Sequence, residues 1–138
     1  MDTEIAQSNF TAYAHMEIED ILTTSSNLNL FNFTTTDGVR EISLKPVYRN
    51  LLSGKVTLPL KDKAGVPIVA IADNGFALIN KITHIYFQED PNFDSWYTTI
   101  KDRAFYNYII GAGVQNSALT CIKLPESIKY IKQEAFYA

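Results

Sequence analysis

Three times this chain writes the same six-residue phrase: Ile71-Ala-Asp-Asn-Gly-Phe76, Ile100-Lys-Asp-Arg-Ala-Phe105 and Ile131-Lys-Gln-Glu-Ala-Phe136. An Ile, three mostly polar residues, a small residue and a Phe recur at fixed offsets. A strand-like piece precedes each phrase: Val56-Thr-Leu58, Ile85-Tyr-Phe87 and Ile122-Lys-Leu124. Thirteen positions separate Leu58 from Ile71 and Phe87 from Ile100, and seven separate Leu124 from Ile131, the same unit without a six-residue insertion. A strand followed by a turn at a fixed offset, repeated along the chain, is the signature of a stacked-repeat architecture. Equivalent positions should then lie above one another. We expect ladders Val56–Ile85–Ile122, Leu58–Phe87–Leu124, Ile71–Ile100–Ile131 and Phe76–Phe105–Phe136, facing inward from parallel strands about 4.8 Å apart.

Residues 1–53 do not carry the phrase. From about Ile5 to Leu22 no Gly or Pro interrupts the chain, and Ile5, Phe10, Tyr13 and Met16 approximate the stripe of an amphipathic helix. Thr23-Thr-Ser-Ser-Asn27 then reads as a loop. A hairpin follows, with strands over 28–33 and 39–47. Asp37-Gly38 supplies the positive-φ positions of its turn, and Pro46 suits an edge or a strand exit. This segment is expected either to cap the open end of the repeats or to anchor the chain in a larger assembly. The fold class predicted is therefore α+β: a helix plus hairpin (1–53) leading into a short parallel-ladder solenoid (54–138).

Composition narrows the functional classes. The chain is 46% hydrophobic with a net charge of −3, as in globular domains. Residues 1–53 hold seven acids and three bases, while the remainder is almost neutral, so no half carries a nucleic-acid footprint. No apolar run nears the roughly 20 residues of a membrane-spanning helix, and the acidic N-terminus is not a secretory leader. The single cysteine, Cys121, rules out an intrachain disulfide or a cysteine-rich zinc site, and its place in a strand points to packing rather than catalysis.

The third unit is where the pattern is fullest. Leu119, Ile122, Leu124, Pro125, Ser127, Ile128, Ile131, Ala135 and Phe136 fall at the positions that define the BspA-type (Treponema pallidum type) leucine-rich repeat. Residues 54–138 resemble that family, although Gly75 stands for Ala in the first unit and the usual Gly after the Ile is replaced by Ala72, Lys101 and Lys132. The resemblance implies a solenoid and a role in adhesion, at a cell surface, in secreted form or on a phage particle.

Chemistry-bearing motifs are few. His15 and Glu19 stand one helical turn apart, too few ligands for a metal. Glu89, Asp90 and Asp94 lack the spacing of a calcium loop, and Gly111-Ala-Gly113 lacks the setting of a phosphate loop. Asn9 and Asn32 begin glycosylation sequons, which matter only in a secreted eukaryotic protein. No Ser lies in a nucleophile elbow, so no catalytic residue, metal or cofactor is expected, and the chain is read as a non-enzyme.

Aromatic residues say more. Trp96, Tyr97, Tyr106 and Tyr108 lie in two excursions between units, where the repeat does not require them. They are read either as a contact surface or as a local minicore. Strand alternation turns Lys55, Thr57, His84, Tyr86, Cys121 and Lys123 outward. The candidate binding residues are thus Tyr86, His84, Lys123, Trp96, Tyr97, Tyr106 and Tyr108. The expected function is contact with a protein or a glycan. The alternative is a structural part of an assembly such as a virion, docked through residues 1–53. The last unit stops in mid-turn, so its open rung is expected either to continue in a longer repeat protein or to be covered by another chain.

Overall fold

The computed structural model describes residues 27–106 and 118–136, together with the backbone of residues 108–109 and 113–114. The helix expected over about residues 5–22 lies outside the described residues. Those described are mostly β, with two short 3-10 turns, Leu28–Leu30 and Pro46–Tyr48, and no α-helix. The helical half of the α+β expectation therefore has no counterpart among them.

The hairpin pairs β1 (Phe31–Thr36) with β2 (Val39–Leu44), antiparallel, from Phe31 opposite Leu44 to Thr36 opposite Val39. Its turn is Asp37-Gly38, with φ of 52° and 79°, which suits the right-handed twist of the flanking strands. The first strand begins later and runs further than expected, because Thr34, Thr35 and Thr36 are β-branched and continue the pairing. The returning strand, expected over 39–47, ends at Leu44, and Pro46 just beyond it opens a 3-10 turn, where its missing N–H costs nothing.

Two parallel ladders follow. β3 (Gly54–Leu58), β5 (Ile82–Phe87) and β9 (Cys121–Ile122) form one sheet, in which Val56 pairs with Ile85, Ile85 with Ile122, and Leu58 with Phe87. β4 (Ala70–Ile71), β6 (Thr99–Ile100) and β10 (Tyr130–Ile131) form the other, with Ile71, Ile100 and Ile131 in register. The hairpin belongs to this second sheet. β2 pairs parallel with β4 and sets Ile42 beside Ile71, so the sheet order is β1-β2-β4-β6-β10. Residues 31–44, which carry no copy of the six-residue phrase, thus add two strands to the same sheet. In the third unit Leu124 lies beyond the paired strand, since the pairing stops at Ile122 and Pro125 has no N–H to extend it.

The three phrases fold alike. In each, the carbonyl after the Ile accepts the N–H of the small residue: Gly75 to Ala72, Ala104 to Lys101, Ala135 to Lys132. Asn74, Arg103 and Glu134, at the matching position, all take left-handed φ of 55–57°. Each turn is tied to the next, since Phe76 N–H donates to Ala104 O and Phe105 N–H to Ala135 O. The rings stack accordingly, Phe76 on Phe105 at 5.6 Å and Phe105 on Phe136 at 5.2 Å, while Phe31 of the hairpin covers Phe76 at 6.3 Å.

Between the ladders lies the core, where Ile42, Val56, Leu58, Ile71, Ile82, Ile85 and Ile100 are fully buried. Each such side chain contributes roughly 1.5–3 kcal/mol relative to exposure. Arg49 binds the hairpin to the first turn, donating to the carbonyls of Leu44, Asn74, Gly75 and Ala77; burial lowers its pKa. Burial falls away at the third unit: Ile131 is 52% and Phe136 41% exposed. The second excursion holds a small antiparallel hairpin, β7 (Tyr108–Ile109) and β8 (Gly113–Val114).

Candidate functional site

A cavity of about 690 Å³ opens where the C-terminal ends of β5 and β9 meet the first excursion. Parallel stacking creates this site. Gln88 to Asp90 leave β5 beside Lys123 to Glu126, which leave β9, so two stretches remote in sequence become one wall. Leu60, Phe87, Leu124 and Pro125 give the groove an apolar floor, and Tyr86, Phe93 and Cys121 add to its lining.

The excursion forming the other wall is held at both ends. Gln88 N–H donates to Leu58 O, and Gln88 Oε1 accepts the N–H of Leu60. A tight turn, Asp90 bridged to Phe93, is closed by the Asn92 N–H on Asp90 Oδ1 at 2.8 Å. At the far end Tyr97 is fully buried, edge-on to Phe87 at 4.7 Å, and its hydroxyl donates to Pro59 O at 2.6 Å. Burial raises the Tyr97 phenol well above its ordinary pKa, so it remains a donor. Ser127 Oγ lies 3.2 Å from Ser95 Oγ and links the loop to the third unit. A loop pinned in this way presents its side chains in fixed positions, which lowers the entropy lost on binding.

The sequence candidates divide. Tyr86 and Lys123 line the groove, as does Cys121. His84 stands one step back, half-buried, its Nδ1 2.8 Å from Thr83 Oγ1 and its ring against Tyr86 at 5.9 Å. Trp96, 53% exposed, lies nearly parallel to the groove residue Phe93, 6.4 Å between centroids. Tyr97 is a correction. Named among the candidate binding residues, it instead takes the minicore alternative and faces inward, its ring filling space against Phe87 and its hydroxyl donating to the buried Pro59 carbonyl. Tyr106 lies beyond the Phe105 turn under the Arg103 guanidinium, 5.4 Å away, and does not line the groove. The Tyr108 side chain lies outside the described residues.

Phe93, Leu124, Pro125 and Glu126 are groove residues that sequence reasoning did not propose. The usable signal was the stacking itself: residues just after two adjacent parallel strands must be neighbours. Charge in the groove is one-sided. Glu89, Asp90, Asp94 and Glu126 face a single lining cation, Lys123. Lys61 lies over the Phe93 ring at 4.0 Å, beside the groove.

Among the described residues no three His, Cys, Asp or Glu side chains converge as a metal site requires. No helix among them is long and apolar enough to cross a membrane. Comparison with protein-family models, with curated proteins and with solved structures finds no match.

Proposed function

We propose that the chain is a BspA-like leucine-rich-repeat solenoid that acts as a non-enzymatic binding module, making adhesion-type contact with a protein or a glycan. The in-register Ile and Phe rungs and the three alike turns support the repeat reading. The observation that carries the function is the preformed groove at which the outward strand residues Tyr86 and Lys123 meet the pinned excursion loop. Its volume is in the range of ligand-binding clefts, and its aromatic and apolar lining with a few polar groups is the usual make-up of such sites.

The test is a titration of the ¹⁵N-labelled chain with panels of soluble oligosaccharides and short peptides. Ligands should perturb resonances clustered at Tyr86, Lys123 and residues 88–96. Tyr86→Ala should weaken that binding while leaving the thermal midpoint unchanged. Perturbations that cluster on another face, or an affinity indifferent to Tyr86→Ala and Trp96→Ala, would overturn the assignment.

A second reading, a structural part of a larger assembly, is favoured by a different observation. The last rung exposes Tyr130, Ile131 and Phe136 together, an apolar edge suited to another β-rung.

A further inference from the structure

The groove's charge selects among its partners. Glu89, Asp94 and Glu126 make no ion pair or hydrogen bond among the described residues, whereas Asp62, Glu41 and Glu134 are each matched to a cation. Asp90 uses one oxygen on the Asn92 N–H and keeps the other. These carboxylates rim an apolar floor, and the chain's own Lys61 ammonium already rests on the Phe93 ring beside it.

An arginine or lysine side chain has the matching form: a methylene stem for the floor, a cation for the rim, and an affinity for aromatic faces. A neutral sugar would leave the excess negative charge uncompensated. Anionic polymers are repelled. Resting on the binding-module reading above, we infer that the groove receives an arginine- or lysine-bearing peptide segment of a protein partner.

Trp96, the one tryptophan of the chain, lies against Phe93 and reports on the groove by its fluorescence. The probe is an acetylated, amidated hexapeptide of alternating arginine and glycine. Its citrulline counterpart keeps the shape and hydrogen bonds without the charge, and a neutral chitotetraose represents the glycan class. The arginine peptide should shift Trp96 emission saturably, with an affinity that falls as salt rises.

Asp94→Asn and Glu126→Gln, both at solvent-accessible positions, should each weaken it by about two- to fivefold, with the thermal midpoint unchanged. Equal binding of the citrulline peptide would overturn the inference. So would binding of the oligosaccharide alone, which would leave the groove as a binding site for a different partner class. Failure of all three probes to perturb groove resonances of the ¹⁵N-labelled chain overturns it as well. Saturable peptide binding mapped to another face would overturn both this inference and the groove's assignment.

Discussion

At Gly75 an added Cβ would lie 2.9 Å from the carbonyl oxygen of Ala72 and 3.2 Å from that of Ile42. Ala104 and Ala135 occupy the matching places in the other turns, whereas the turn at Gly75 lies against the hairpin carbonyl of Ile42, which also accepts the Ala72 N–H. Gly75→Ala should therefore destabilise by about 1–3 kcal/mol, as overpacking does. Urea unfolding checks this, and a neutral or stabilising result would contradict the close approach.

Asp62 is a second residue whose surroundings decide its behaviour. Burial alone would raise its pKa, but the N–H groups of Val66 and Ala64 and the Arg40 guanidinium at 2.7 Å outweigh it, and the net shift is downward from 3.8. A depressed folded-state value contributes stability that is present above the unfolded pKa and is lost as pH falls through the folded value. Asp62→Asn should cost about 1–2 kcal/mol at pH 7. The cost should shrink as pH falls below about 4, the unfolded-state range, and through the lower folded-state value, where the native carboxylate in turn takes up its proton. Urea midpoints of both proteins from pH 7 to pH 2 test the sign.

Among the elements, the phenylalanine stack grades from closed to open. Phe105 is buried between Phe76 and Phe136, whereas Phe136 has a neighbouring ring on one side only among the described residues. Phe105→Ala should cost roughly 3–5 kcal/mol, the range for a buried Phe. Phe136→Ala should cost about 1 kcal/mol, since it already loses part of its burial to solvent. Similar losses for the two would argue that the last rung is covered in solution. The hairpin closes the other end of the stack. Its β2 strand continues the ladder, its Phe31 continues the rings, and the Lys101–Glu41 pair at 2.7 Å stitches it to the second unit.

For the whole molecule the asymmetry between its two ends has a consequence in solution. One end of the second sheet is closed by an antiparallel strand, and the other shows Ile131 and Phe136. The weight-average mass of residues 1–138, followed by light scattering over a concentration series, should rise with concentration. Ile131→Lys should suppress the rise without a large change in the thermal midpoint, because that side chain is already half in water. A constant monomer mass for the unmodified chain would sink the assembly reading.

The rungs were legible in local spacing. Alternation along a strand and a fixed offset to the turn are local properties, so Val56 with Ile85 and Ile71 with Ile100 and Ile131 could be paired from spacing alone. The Asp37-Gly38 turn was legible for the same reason, since its φ values are a demand on two residues. Features that depend on distant parts of the chain had no such local signal. Ile42 joins the ladder because β2 pairs with β4, which no repeat phrase announces. Trp96 faces water while Tyr97 is sealed inside, and nothing local separates the two neighbours. The difference is Pro59, 38 residues earlier, whose carbonyl needs a donor that the Tyr97 hydroxyl can bring.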